Sequence, residues 1–583
     1  MTSSSASRAT ALIAAALLAA CGHGDSSATQ PVTPCANGSL VTLDTMQAVT
    51  LRADSANCLD MEPGTGTYVI VPQFADTAAD STPVAFEVGA LGAASAEVVQ
   101  APAASRIPAA DATSRWSTAR AFDRARRAQG RALAKALADD PATRWRISAA
   151  LAAAPGGVLP ALGSTRVFSV CGDLNCASFK KDTAVLKYIG ANVMLYQSQN
   201  APAPPNGFSD SDIAAFGAVF DQTLYPIDAN AFAAPSDIDG NGHEIVLLTP
   251  KVNALVTKSA CSASGYVAGF FFPGDLIPSY AGGNDGEIYY SIAPDPTGAF
   301  SCAHSIDDVK SVSGGTFLHE TLHMINFGQK VLLHGLPDTE REFLDEGMAH
   351  IAEEMGSKHY EALYPPPSGR TDPSQLFPDS AEGYISGDLY NSYTYLLAPN
   401  AGTATTTIPN GSTLDDSGAE WLFLRWLGDQ RGEAIFGNIV RSALVGQANL
   451  EAQAGASLAT LFGQASLAFY ADSLPNVPRS AIGTAYHFSS RNLRVLFNRL
   501  YTTSGGSGTS FPRPYPILPV ALAAGTTLRA SMLKGGMSYY RFDASAASAA
   551  TRVHFAEPGG LSFPNALGAQ VTVLRCGSAA ECQ

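Results

Sequence analysis

Residues 314 to 327 read Gly-Gly-Thr-Phe-Leu-His-Glu-Thr-Leu-His-Met-Ile-Asn-Phe. Phe317, Leu318, Leu322, Ile325 and Phe327 recur at helical spacing, which predicts a helix set against a core. On such a helix His319 and His323, four positions apart, project from one face and can share a zinc ion at roughly 2.0–2.1 Å each. Glu320 is turned about 100° from His319. That places its carboxylate beside the shared ion rather than on it, where a general base for an activated water belongs. With only 10 histidines in 583 residues, the H-E-x-x-H cluster is no by-product of a histidine-rich chain.

A catalytic zinc needs a third protein ligand and an open fourth position. Asn326 and Gln329 stand where the extended H-E-x-x-H-x-x-G-x-x-H pattern requires Gly and His, so that branch is excluded. Downstream, Phe343-Leu344-Asp345-Glu346-Gly347-Met348-Ala349-His350-Ile351-Ala352-Glu353-Glu354 predicts a second helix. Here the chain resembles the gluzincins, whose third ligand is a Glu in an Asp-Glu-Gly or Asn-Glu-Gly setting, and the wider pattern most resembles the hyicolysin-type neutral zinc metallopeptidases. The resemblance runs from residue 164 to about 450. It takes in the Asp237-Ile238-Asp239-Gly240-Asn241-Gly242 turn before an apolar strand, both helices above, and the segment from Gly418 to Leu427.

The resemblance implies a zincin-like fold, one catalytic zinc held by His319, His323 and Glu346, Glu320 as general base, and a peptide or protein substrate. Asp345 and Glu353 are the alternative third ligands. His350, four residues after Glu346, is a partner behind the ligands, a contact to the transition state, or a packed core histidine. Tyr384, Tyr390, Tyr393 and Tyr395 cluster, but Ser417 stands where the family pattern has an aromatic, so no oxyanion-stabilising residue is assigned. Asp237, Asp239, Asn241 and Gly242 match the first half of an EF-hand loop. Leu248 falls at the twelfth position, where a bidentate Glu belongs, so a tight polar turn is favoured over Ca2+.

The amino terminus has its own signature. Arg8 precedes the apolar run from Ala11 to Ala20, about half a bilayer span, which reads as a signal peptide. Leu18-Ala19-Ala20-Cys21 resembles the lipobox of bacterial lipoproteins, implying a membrane anchor through lipid on Cys21. Gly22, rather than Asp, then favours the outer membrane or cell surface. Of nine cysteines, eight remain beside Cys21 and fall in sequence-local couples, Cys35 with Cys58, Cys171 with Cys176, Cys261 with Cys302, and Cys576 with Cys582. Pairing of these neighbours is the expectation, although sequence alone does not choose among the connectivities that eight cysteines allow. Such a count suits an oxidising compartment. A net charge of -15 is the wrong sign for nucleic acid, and 46 % hydrophobic residues exclude wholesale disorder.

The expected class is α+β, a zincin-like catalytic domain flanked by N- and C-terminal β-rich domains. Residues 1–20 are the leader and 21–37 a tether rich in small and polar residues; 38–100 form a small β-domain. Residues 101–163 are a linker with an Ala- and Arg-rich helix from Trp116 to Leu151, 164–474 the metallopeptidase domain, and 475–583 a second β-rich domain. In the linker helix Arg124, Arg126, Arg127 and Arg131 crowd together. A solvated face is favoured over a pro-segment or a contact with an acidic surface. Glu287 to Ser291 is the expected sheet edge on which a peptide adds as a strand. The rival to an enzyme is a cell-surface binding or adhesion lipoprotein on an inactive zincin-like scaffold, which has no need of Glu320.

Overall fold

The computed structural model describes residues 38–53, 58–61, 65–76, 82–91, 97–100, 117–152, 156, 158–363, 381–397, 414–504, 511–544 and 551–583. The leader, Cys21, the tether and Cys35, and with it the expected Cys35–Cys58 pairing, lie outside the described residues. The other three neighbour pairs are disulfides: Cys171–Cys176, Cys261–Cys302 and Cys576–Cys582. Among the described residues no helix is long and apolar enough to cross a membrane.

A six-stranded sheet lies at the centre. Its order is Gly269–Phe271, Ile288–Ser291, Glu244–Leu248, Val193–Ser198, Phe179–Ile189, Thr165–Cys171. Glu244–Leu248 runs parallel to both its neighbours. It and Ile288–Ser291 are buried along their whole length, as strands covered on both faces must be, so they read as unbroken apolar runs. The edge is the antiparallel strand Gly269–Phe271, not Glu287–Ser291 as expected, because Ile288–Ser291 has a strand on either side. Stacking of Phe270 on Tyr290, with centroids 4.6 Å apart and planes 9° from parallel, seats this edge. Three residues are too few to show a period.

The histidine helix Ile306–Phe327 begins in a capping box: Ser305 Oγ accepts from Asp308 N–H while Asp308 accepts from Ser305 N–H. Phe317 packs it on the sheet against Tyr289 and Phe220, with centroids at 5.5 and 4.8 Å. Glu342–Leu363 and Ala381–Leu397 pack beside it, and Leu414–Arg431 packs against those two helices. Glycines set the spacing. A Cβ on Gly314 would stand 2.6 Å from the Tyr384 hydroxyl, and one on Gly418 2.2 Å from the backbone of Asn391 and Ser392. Buried Glu354 ties the layer together through Arg425 at 3.3 Å and Arg491 at 2.8 Å. Burial pulls its carboxyl upward, but Arg491, Arg425 and Lys358 outweigh that and hold it at about 2.

The β-rich ends form one sandwich, not two flanking domains. One sheet orders as Gly38–Val41, Cys58–Met61, Thr551–Ala556, Val84–Leu91, Thr526–Met532, Glu97–Gln100. The other orders as Val520–Leu522, Tyr540–Ala544, Gly66–Phe74, Ala569–Cys576, Ala48–Arg52. Both interleave strands from the two ends of the chain, and Thr67 Oγ1 donates to Asp543 at 2.7 Å across 476 positions. The C-terminal strands start only at Val520; within 475–519 lies the helix Leu493–Thr503. The sandwich seats on helix Leu458–Ala471, where Tyr539 Oη donates to Ser466 O at 2.7 Å. The expected linker helix is broken into Ser117–Ala138 and Pro141–Ala152, with Asp140 Oδ1 accepting from the N–H groups of Ala142 and Thr143 at 3.1 Å each.

Candidate metal centre

On the histidine helix, His319 Nδ1 hydrogen-bonds Glu353 Oε1 at 2.7 Å, and His323 Nδ1 lies 3.1 Å from Asp345 Oδ2. Both Nδ1 atoms thereby face carboxylates, His319 through a hydrogen bond, and each Nε2 lies on the side of Glu346. The distances to its carboxylate are 3.8 Å from His319 Nε2 and 3.2 Å from His323 Nε2. One ligand atom from each of His319, His323 and Glu346 lies within 4.8 Å of the others. The structure thus brings together the three sequence-predicted ligands and sets the two alternative carboxylates, Asp345 and Glu353, behind the rings. Asp345 is itself oriented by Asn326 Nδ2, which donates to Oδ1 at 2.6 Å.

Electrostatics suit a cation here. Burial holds His319 down at about 3 against the opposing hydrogen bond from Glu353, so its ring is neutral and its lone pair free at neutral pH. Burial would also lower His323, but Asp345 outweighs it and raises the ring above its ordinary value. His323 Nε2 is buried and makes no hydrogen bond, an atom in want of a partner. Two imidazole nitrogens and a carboxylate oxygen are a donor set suited to zinc. Glu320, one residue round the helix, accepts from the Phe271 N–H at 3.0 Å and is thereby anchored to the edge strand. Burial pushes its carboxyl up to about 8; Asp123 adds to the rise, and His323 and Arg127 oppose it.

A cleft of about 470 Å³ opens over these groups, walled by Gly269 of the edge strand, His319, Glu320, Glu346, His350 and Tyr384. His350 Nδ1 stands 2.8 Å from Asp388 Oδ1 and 3.2 Å from Glu353 Oε1. Burial disfavours its charge, but these carboxylates prevail and raise it to about 10. Of the four clustered tyrosines, Tyr384 and Tyr390 line the cleft, whereas Tyr393 donates to Arg513 O at 2.6 Å and Tyr395 is buried in the core. Sequence reading missed Asp388. Its one signal is that it lies four residues after Tyr384, hence on the same face of Ala381–Leu397.

The arginine-rich helix departs from the expected solvated face. Arg124 is exposed as expected, but Arg126 turns inward to 6 % exposure and Arg120 to 7 %. Arg120, Asp123 and Arg127, spaced i, i+3 and i+7, share the face toward the metal centre. Arg120 Nη1 lies 3.3 Å from Glu346 Oε2, and Arg127 Nη1 meets Glu346 Oε1. Asp123 lines the cleft together with Glu320.

Over 181 residues the chain is 30% identical to the neutral metalloprotease ShpI of Staphylococcus hyicus; the match covers 30% of this chain and 36% of that relative. No family model matches the chain. Over that stretch the protein is related to a metalloprotease, and the likeness implies a metal.

Proposed function

We propose that the protein is a zinc-dependent endopeptidase in which His319, His323 and Glu346 hold the ion and Glu320 is the general base. The observation that carries this reading is the convergence of both imidazole Nε2 atoms on one buried carboxylate, with Glu320 alongside. Zinc bound there supplies a Lewis acid that lowers the pKa of water toward about 7 and polarises the scissile carbonyl. Glu320 takes a proton from the attacking water and returns it to the leaving amine. His350, kept cationic by Asp388 and Glu353, faces the same cleft as a hydrogen-bond donor for a carbonyl oxygen that gains charge. An extended substrate adds along Gly269–Phe271, whose backbone already positions Glu320. Cys21 in its lipobox-like setting and the disulfides support an exported, lipid-anchored protein at the outer membrane or cell surface.

Metal analysis joined to proteolysis tests the reading. The purified chain is expected to carry one zinc ion and to cleave a denatured protein substrate. A zinc chelator should stop cleavage and added zinc restore it. Absence of zinc, or cleavage indifferent to chelator, overturns the proposal.

A further inference from the structure

The 237–243 loop holds a second group of acidic ligands away from the metal centre. Gly242 N–H donates to Asp237 Oδ1 at 3.0 Å, Asn241 N–H to Asp239 Oδ1 at 3.2 Å, and His243 N–H to Asn241 Oδ1 at 2.6 Å. Gly242, at the sixth position, has φ of +70°, the left-handed turn that an EF-hand loop needs there. Leu248 at the twelfth position is fully buried in its strand and offers no oxygen. The sheet supplies a substitute. Ile245 N–H donates to Glu287 O at 2.7 Å, which sets Glu287 beside the end of the loop, and its carboxylate comes within 4.8 Å of those of Asp237 and Asp239. Glu287 is 1 % exposed; Oε1 accepts from Ser236 Oγ and Ile238 N–H, while Oε2 is buried with no hydrogen-bond partner. A buried carboxylate oxygen left bare is costly unless a cation meets it.

We propose that Asp237, Asp239, Asn241 and Glu287, with the His243 carbonyl, form a structural Ca2+ site that pins this loop to the sheet. Oxygen-only ligands in a flexible loop suit Ca2+ over zinc. The sequence reading that favoured a plain turn looked for the last carboxylate within the loop, whereas here it comes from a neighbouring strand. Burial, joined by Asp239 and Asp237, pushes the Glu287 carboxyl up to about 8, as expected of a carboxylate that a cation would stabilise.

Calorimetric titration and thermal melts of the zinc-loaded full chain test the site. One Ca2+ ion should bind, and about 1 mM Ca2+, within the range of extracellular modules, should raise Tm by several degrees where Mg2+ does not. Glu287→Gln and Asp239→Asn should each abolish that rise while zinc content stays unchanged. Asp239 is exposed, so its variant carries the test if Glu287→Gln fails to fold. No calcium uptake by the wild type, or wild-type affinity in Asp239→Asn, overturns the proposal.

A separate observation concerns the helix Ser117–Ala138, which lies over the metal centre. Phe122 packs edge-on against Phe270 of the edge strand, with centroids 5.0 Å apart, and Arg120 and Arg127 engage Glu346. Substrate addition to that edge competes with this helix, whose two arginines also crowd Glu346 beside the cleft. Resting on the peptidase reading, we infer that Ser117–Ala138 is an inhibitory latch, released by cleavage at the exposed stretch around Val158, Leu159 and Leu162. The sandwich holds strands from before the latch, so the nicked segment would stay attached.

A recognition sequence for a specific protease, placed between residues 156 and 163 of the full chain, tests this; the Arg120→Ala/Arg127→Ala double variant covers a nick that leaves the helix seated. Amide exchange over residues 266–272 and cleavage of a peptide substrate are measured together. Exchange and turnover should each rise at least about tenfold. Unchanged exchange in both forms overturns the latch. Faster exchange without cleavage in any form keeps the latch and rejects the peptidase.

Discussion

Glu320→Gln is expected to leave zinc content and Tm near wild type and to lower kcat at least about a thousandfold, within the span that general acid–base groups contribute. The amide keeps an oxygen where Glu320 Oε2 accepts from the Phe271 N–H, so the edge strand holds its place. What it loses is the capacity to take a proton from water. The neighbouring imidazoles cannot replace it, because their Nδ1 atoms face Glu353 and Asp345 and their Nε2 atoms face Glu346. Turnover of a denatured protein, measured beside zinc content, checks this. Wild-type rates in the variant would remove Glu320 from the chemistry. A wild type that binds zinc, cleaves nothing, and still grips a surface partner would favour the adhesion reading.

Three carboxylates on the helix Glu342–Leu363 face the histidines, and their substitutions should separate by role. Glu346→Gln is expected to weaken zinc affinity by more than about 100-fold, because it replaces a charged ligand. Asp345→Asn and Glu353→Gln should each cost about 10–100-fold, the usual effect of removing a partner that orients a ligand. Competition with a chromogenic chelator gives the ranking. If Glu353→Gln or Asp345→Asn proved the most damaging, the third ligand would be reassigned. The geometry argues against that: the carboxylates of Asp345 and Glu353 reach Nδ1, whereas that of Glu346 meets Nε2.

How much of this was legible beforehand depended on the range of the interaction. A helix repeats every 3.6 residues, so the spacing of His319, Glu320 and His323 alone determines which of these side chains share a face. The capping residues Ser209 and Ser305 are equally local, and both form capping boxes. Glu346 could be singled out from Asp345 and Glu353 only through a family resemblance, since neighbouring positions on one helix differ by rotation and the sequence does not say which way the helix is turned.

The errors share a cause as well. The edge strand was misassigned because Gly269–Phe271 is defined by its partner Tyr290 rather than by its own pattern. Two β-rich ends looked like two domains because strand pairing across hundreds of residues leaves no trace in either strand. The arginine face looked solvated because long cationic side chains usually are, and it is the carboxylates opposite, Glu346 for both and Glu342 for Arg127, that offset the cost of burying Arg120 and Arg127. Likewise the acidic turn lacked its closing carboxylate until the parallel pairing of Glu244–Leu248 with Ile288–Ser291 brought Glu287 alongside. The chain by itself thus determined the helices, their caps and the constellation within one helix, since backbone geometry sets those contacts over a few residues. The tertiary structure alone decided which strand is the edge, which carboxylate meets the histidine Nε2 atoms, and what lies over them, because those depend on surfaces that meet only after distant segments have packed.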